Sequence, residues 1–224
     1  VGPATERFEE DDLRILRGLR FQAQLGFSIA PETYEAMAQL IDQLAYLSVE
    51  RIVVELQKLI AGKHVAESYQ YMLTLNAFHY MPFFEHFNMD AFTVDRSVTF
   101  NDFIALLFVQ QAPLAALSEL KLSNKDKQYI NRLVEVINQL PEISTKATLK
   151  RFVYDYGKEL ILHALSLEDV MEKNNIATPS PLIINTQIIR ETSSQLPISK
   201  RQDLAVTGKD LLDHTERKGG PWVK

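Results

Sequence analysis

Apolar residues recur at three- and four-residue intervals along most of the chain, the period of helices with one buried face. The first such segment runs from an acidic cluster at residues 9–12 through Leu13, Leu16 and Leu19, and Gly26 is placed to stop it. Pro31-Glu-Thr opens a second helix, expected to reach about Ala45. Ser48 is the expected cap of a third, in which Ile52, Val53, Leu56, Leu59 and Ile60 share a face and which Gly62 ends. Residues 64–75 give a fourth, and Phe78 to Phe87 read as an aromatic, Pro-interrupted connection whose rings pack in the core. Phe100–Gln111 is a strongly apolar helix. Ser123, with Asp126 three residues later, opens a helix to Leu140 that Pro141 stops. Helices near 146–156, 157–174 and 181–195 follow, the last two separated by the turn-rich stretch Asn174 to Pro181. No strand pattern, repeat or low-complexity tract stands out, so the expected class is all-α.

The first helix carries unusual chemistry on its polar side. Glu9, Glu10, Asp11 and Asp12 are expected in its first turn, where negative charge offsets the positive helix end. Arg14, Arg17 and Arg20 follow at intervals of three, roughly 300° of turn angle each, and so form one drifting stripe that Asp11 extends. Gly18 sits inside this helix at a cost of about 1 kcal/mol against Ala, which a close neighbour would explain.

A carboxylate only accepts hydrogen bonds and a guanidinium only donates them. Cytosine and adenine each present an amino donor beside a ring-nitrogen acceptor on the pairing edge, whereas uracil and guanine present the reverse order. Asp11 with Arg14 therefore suits C and A and leaves U and G with two mismatched contacts. Arg17 and Arg20 could hold phosphates or support Asp11. Acids early and bases late also mark ordinary solvated helices, and spacing alone does not separate the two readings.

The whole string does more. Arg7-Phe8-Glu9-Glu10-Asp11-x-Leu13-Arg14-x-Leu16-Arg17-x-x-Arg20-Phe21, then Gln24-Leu25-Gly26-Phe27, resembles the neck helix of class II tRNA nucleotidyltransferases, the CCA-adding enzymes. Leu47-Ser48-Val49-Glu50-Arg51-Ile52-Val53-Val54-Glu55-Leu56, followed by Lys58-Leu59, resembles that family's Ser-x-Glu-Arg-Ile neck segment. Gly208-Lys-Asp210-Leu211 with Gly220-Pro221-Trp222-Val223 is similar to its tail motif, and Phe78–Pro82 and Phe152–Tyr156 to its body and tail. The resemblance implies an elongated array of helical modules: a neck at 1–62, a body at 63–141 and a tail at 142–224, truncated at its end. It implies that Asp11 and Arg14 pair with the base of CTP or ATP, that Arg17 and Arg20 contact nucleotide, and that Glu10 helps orient the pair. It implies tRNA as partner, gripped at the acceptor stem and TΨC arm; a cytoplasmic setting is expected from the absence of cysteine, which fits a reducing compartment. The family's Gly-Gly-x-x-Arg-Asp loop and Asp-x-Asp pair are missing here. The chain therefore reads as a fragment that starts after the catalytic head, with Mg2+ held by that head, no catalytic residue or metal ligand of its own, and no activity alone. A poly(A) polymerase or an enzyme adding only CC or only A would share the same helix, and a helical protein-binding scaffold is the rival of another class.

Composition changes this picture little. The chain has 224 residues, 46% of them hydrophobic, enough for a real core. It lacks cysteine, which excludes disulfides and thiolate metal sites. The five histidines have no zinc-type spacing, and no phosphate loop or nucleophile motif occurs. The longest apolar run, Phe103 to Val109, is too short to cross a bilayer. The net charge is −5, yet residues 1–62 carry −4, residues 63–112 carry −3 and residues 113–224 carry +2. The candidate RNA-binding residues accordingly lie in the second half: Lys121, Lys125, Lys127, Lys146, Lys150, Arg151, Lys200, Arg201 and Lys209, with Arg217 and Lys218 beside them.

Overall fold

A computed structural model describes residues 4–111, 114–180 and 182–198. Among these residues every regular element is helical. The α-helices are α1 (Ala4–Glu10), α2 (Leu13–Leu25), α3 (Pro31–Leu40), α4 (Val49–Ile60), α5 (Val65–Thr74), α6 (Phe100–Gln111), α7 (Asn124–Gln139), α8 (Lys146–Tyr156), α9 (Lys158–Ser166), α10 (Glu168–Lys173) and α11 (Thr186–Ser194), with 3-10 turns between several of them. The all-α expectation holds. None of these helices is long and apolar enough to span a membrane. The chain divides into two compact units: one of residues up to Glu142 together with His163–Pro179, the other of Ile143–Leu162 together with residues from Ser180 onward.

In the first unit α2 lies at the centre of its neighbours. Ile15, Leu16, Leu19 and Ala23 are fully buried and pack mainly on α4 and α5. Three polar details tie these helices. Ser68 Oγ donates to the Leu19 carbonyl at 2.8 Å, the amide of His64 donates to the Ala23 carbonyl at 2.8 Å, and Gly62 passes so close to Ala23 that a Cβ there would lie 2.5 Å from its carbonyl oxygen. Gly26 ends α2 as expected, left-handed at φ 74° with its amide on the Gln22 carbonyl. At Gly18 a Cβ would run into Met37 Cε, the movable end of a side chain of α3, so the close neighbour is a methionine rather than backbone.

Several boundaries differ from the sequence expectation. The second helix loosens at Ile41 into a 3-10 turn through Tyr46. Ser48 takes the extended backbone of a cap but makes no side-chain cap bond. The expected 157–174 helix is two, α9 and α10, and the last described helix begins at Thr186, where Asn185 accepts from the Ile188 amide. The Ser123 cap is present, with Oγ accepting from the Asp126 amide. Phe78, Phe83 and Phe84 are buried, as a core role requires, and Phe103 and Phe92 extend the same aromatic cluster.

One buried polar cluster joins α6, α7 and α9. Asp102 is fully buried. Its Oδ2 accepts from the amide and hydroxyl of Thr99, and its Oδ1 from Tyr129 Oη at 3.1 Å and His163 Nε2 at 2.8 Å. Burial pushes the Asp102 carboxyl up, but the bonds from His163 and then Thr99 outweigh it and hold it below the usual range. The bond to Asp102 raises His163, against the opposing effect of burial. A raised histidine stabilises fully below its unfolded value of about 6.5 and loses that contribution as pH rises through the higher folded value. A lowered carboxylate stabilises above its unfolded value of about 3.9 and loses the contribution as pH falls through the folded one. Thermal unfolding from pH 5.5 to 8.5 should thus show the advantage of wild type over His163→Gln shrinking as pH rises. Asp102→Ala should cost about 3 kcal/mol, because it strands the buried partners of a charge.

Candidate functional site

The acidic segment does not open α2. Glu9 and Glu10 close α1, and Asp11 and Asp12 form a break before α2 begins at Leu13. Asp11 stabilises the break itself: its Oδ1 accepts from the Leu13 amide at 3.2 Å and its carbonyl accepts from the Arg14 amide at 2.9 Å. Short acidic side chains compete with the helix ladder in this way, which is why the continuous helix expected from residue 9 is interrupted.

The break redistributes the charges. The Arg14 side chain turns back to α1 rather than to the Asp11 carboxylate. Its Nη1 donates to Glu10 Oε2 and to the Arg7 carbonyl, the latter at 2.7 Å, and Arg7 reaches the other oxygen of Glu10 at 3.0 Å. The bonds from Arg14 and then Arg7 hold the Glu10 carboxyl below its usual range. Asp11 faces the other way. Arg17 Nη1 lies 3.3 Å from its Oδ2, and Arg51 Nη2, from α4, lies 3.0 Å from its Oδ1. Arg17 and Arg20 both reach back to Glu55, at 3.9 Å and 3.1 Å, and Lys58 adds a third cation at 3.8 Å. Glu55 is 4% exposed, the one acid on the buried face of α4. Arg20 also stacks over Phe21, 4.2 Å from the ring centroid.

Asp11 and Arg14 remain open to solvent, with side chains 27% and 38% exposed. The arrangement thus presents an acceptor and a donor three residues apart in sequence, each held by its own ion partners rather than by the other. Glu10, Asp11 and Glu55 are all engaged by cations, and no three acidic or histidine side chains among the described residues gather as metal ligands. These residues do not fit a magnesium site.

Comparison with known proteins gives this geometry a context. Residues 100–224 match the family described as tRNA nucleotidyltransferase domain 2. The chain belongs to the tRNA nucleotidyltransferase family. Residues 26–87 match "Probable RNA and SrmB-binding site of polymerase A". The CCA-adding enzymes of Staphylococcus haemolyticus and Staphylococcus epidermidis are 46% and 47% identical over the whole chain. The chain spans 56% of the length of each, little more than half. Among solved structures, the Bacillus stearothermophilus CCA-adding enzyme in complex with CTP superposes with a TM-score of 0.75 at 25% identity, covering 99% of the chain and 56% of that structure. A tRNA-processing enzyme in an apo form, 16% identical over 84% of the chain and 61% of that structure, shares the fold with a TM-score of 0.52.

In this nucleotidyltransferase chain the candidate RNA-binding residues fall into two sets. Lys121, Lys125 and Lys127 belong to the first unit, just before α7 and in its first turn. Lys146, Lys150 and Arg151 lie on α8 in the second. There Lys146 lines a groove of about 260 Å3 with Thr145, Ile188 and Glu191, and Arg151 pairs with Asp155 at 3.6 Å. Lys200, Arg201, Lys209, Arg217, Lys218 and the Gly208–Val223 motif lie outside the described residues. Sequence reasoning assigned no role to Arg51 or Glu55. The available signal was their place in the segment that resembles the family's Ser-x-Glu-Arg-Ile stretch, four residues apart on one helix. Carbon-13 NMR titration of the carboxyl groups should find Glu10 titrating below the ordinary glutamate range and returning toward it in Arg14→Ala, the partner whose bond contributes most.

Proposed function

We propose that this chain is the base-selecting and RNA-binding part of a CCA-adding tRNA nucleotidyltransferase. The observation that carries the reading is the accessible Asp11 and Arg14 at the start of α2, in a chain that matches CCA-adding enzymes along its whole length. An incoming CTP or ATP offers its amino group to Asp11 and its ring nitrogen to Arg14. UTP and GTP would set a carbonyl against the carboxylate and an N–H against the guanidinium. Arg14 must leave Glu10 to take up this role, so Glu10 holds the free guanidinium within reach of the site. Arg17 and Arg20, anchored by Glu55, provide positive charge for the nucleotide. The lysines of α7 and α8 would meet tRNA phosphates, a contact made by shape and charge rather than by base sequence.

The transfer chemistry needs metal-bound carboxylates to align the triphosphate and activate the attacking hydroxyl. Glu10, Asp11 and Glu55, the acids of this site, are engaged by guanidinium and ammonium partners. We therefore assign Mg2+ and the chemical step to a part of the enzyme outside this chain. A second reading is favoured by the polymerase A description that residues 26–87 match: a poly(A)-adding enzyme built on the same helix. Product length on a tRNA lacking its CCA end separates the two, three added nucleotides against a long adenylate tail.

In the full-length enzyme, Asp11→Ala should lower discrimination of CTP and ATP against UTP and GTP by about tenfold or more, the worth of one good base-edge contact. Arg14→Ala should impair use of CTP and ATP together. Unaltered selectivity in both variants overturns the template role. The chain alone, mixed with tRNA, Mg2+ and labelled CTP or ATP, should incorporate nothing. Its binding to tRNA should weaken steeply with salt as phosphate counterions are released.

A further inference from the structure

A groove of about 230 Å3 opens between α2 and α3. Its walls include Gly18, Phe21, Gln22 and Leu25 of α2, Phe27 of the loop that follows, and Met37 of α3. Phe21, Leu25 and Phe27 are 49%, 57% and 71% exposed, so an apolar surface collects here that nothing among the described residues covers. Gln22 is the opposite. It is 2% exposed, and its Nε2 and Oε1 make no hydrogen bond among the described residues. A buried amide without partners is costly, and a leucine or methionine would fill the same place without that cost. The groove thus joins bare phenyl rings to an amide whose donor and acceptor are both unused. We propose that it receives the unpaired base at the growing end of the RNA, stacked on Phe27 and Phe21 with its edge on the Gln22 amide. The proposal rests on the reading of the chain as the base-selecting and RNA-binding part of a nucleotidyltransferase.

Position and chemistry both favour a base. Gly18, Phe21 and Leu25 follow Arg14 by four, seven and eleven residues, so all three fall within roughly 40° of it around the α2 axis. Groove and Arg14 therefore share a face of α2, with Phe21 roughly 10 Å further along. An RNA end that stands beside a nucleotide read at Arg14 is within reach of the groove. The family match over residues 26–87, whose description names an RNA-binding site, takes in Phe27 and Met37. Arg20 lies over the Phe21 ring, 4.2 Å from its centroid, and keeps positive charge at that wall. Exposed aromatic faces stack on any base. The amide adds a contact of adjustable sense: it carries one acceptor and one donor group, and half a turn exchanges them. It can meet the amino and ring-nitrogen edge of C or A, and equally the N–H and carbonyl edge of U or G. Asp11 and Arg14 have a fixed sense and reject half of the bases. The end of the RNA changes identity with each addition, so its holder has to accept what the selecting pair refuses. Phe21 and Phe27 are exposed enough to turn aside, which opens a path to the buried amide.

The test uses the full-length enzyme and a tRNA lacking its CCA end, with a fluorescent aminopurine as its terminal base. Stacking quenches this base, so binding to the wild type should lower its fluorescence. Phe27→Ala and Gln22→Leu should each relieve the quenching and weaken tRNA binding by about tenfold, the worth of one stacked base. Discrimination of CTP over UTP, which Asp11 and Arg14 set, should not change in either. Phe27 lies in an exposed loop, so its variant remains informative should Gln22→Leu disturb α2. Thiol labelling at position 27 of Phe27→Cys, read by mass spectrometry, identifies the occupant. Protection that appears only with tRNA supports the base site. Protection in the enzyme without RNA assigns the groove to another part of the protein, and protection that grows with enzyme concentration assigns it to a second copy; either overturns the proposal. Salt-dependent tRNA binding without quenching overturns the base site and leaves the RNA-binding reading standing. Failure to bind tRNA at all overturns both.

Discussion

Opposite charges confined to a helix break organise this end of the molecule. Had residues 9–25 formed one helix, Asp11 and Arg14 would sit side by side on its first turns and neutralise each other. The break at Asp11 and Asp12 prevents this. It sends Arg14 back to Glu10 on α1 and turns Asp11 toward Arg17 and toward Arg51 of α4. Acceptor and donor are thereby kept apart and each is provisionally satisfied. Neither bond is deeply buried, so a ligand that offers better geometry can compete for both groups. A fully buried pair would be too costly to open.

The apolar side of α2 makes the arrangement durable. Ile15, Leu16, Leu19 and Ala23 are excluded from water, and the close passage of Gly62 beside Ala23 brings the end of α4 against α2. That packing fixes the register of the two helices, and register decides which charges meet. Glu55 can serve Arg17 and Arg20 together only because it projects from the face of α4 that carries Ile52, Leu56 and Leu59. Stability and recognition share one interface here, the core on one edge and the ion network on the other.

Most of the helical layout could be read from the chain, since period, glycine stops and the Ser123 cap are local signals. What could not be read were features settled by competition between neighbours. The break at Asp11 arises because a short acidic side chain captures the Leu13 amide, an outcome that acid-rich helix starts do not announce. Gly18 suggested a close approach, but only the fold shows that Met37 makes it. The Arg14, Arg17 and Arg20 stripe was legible as a pattern. Its partners were not, because Arg51 and Glu55 lie more than thirty residues away and meet it only once α4 has packed.

The position of Glu55 bears on how selectivity and rate can be separated in such a protein. A residue touching the nucleotide affects binding and chemistry together. Glu55 touches Arg17, Arg20 and Lys58 but not Asp11, so it bears on the placement of those cations and leaves the Asp11 charge in place. Discrimination depends steeply on direction, because a rotated carboxylate can accept from the N–H of a wrong base as readily as from the amino group of a right one. On the proposed reading, binding of a cognate base would tolerate the same rotation better, since Arg14 would still donate to its ring nitrogen. On the proposed reading, the selecting acid stands at a helix break while its ion partners come from α2 and the packed α4, so the packing of those helices decides which charges face it.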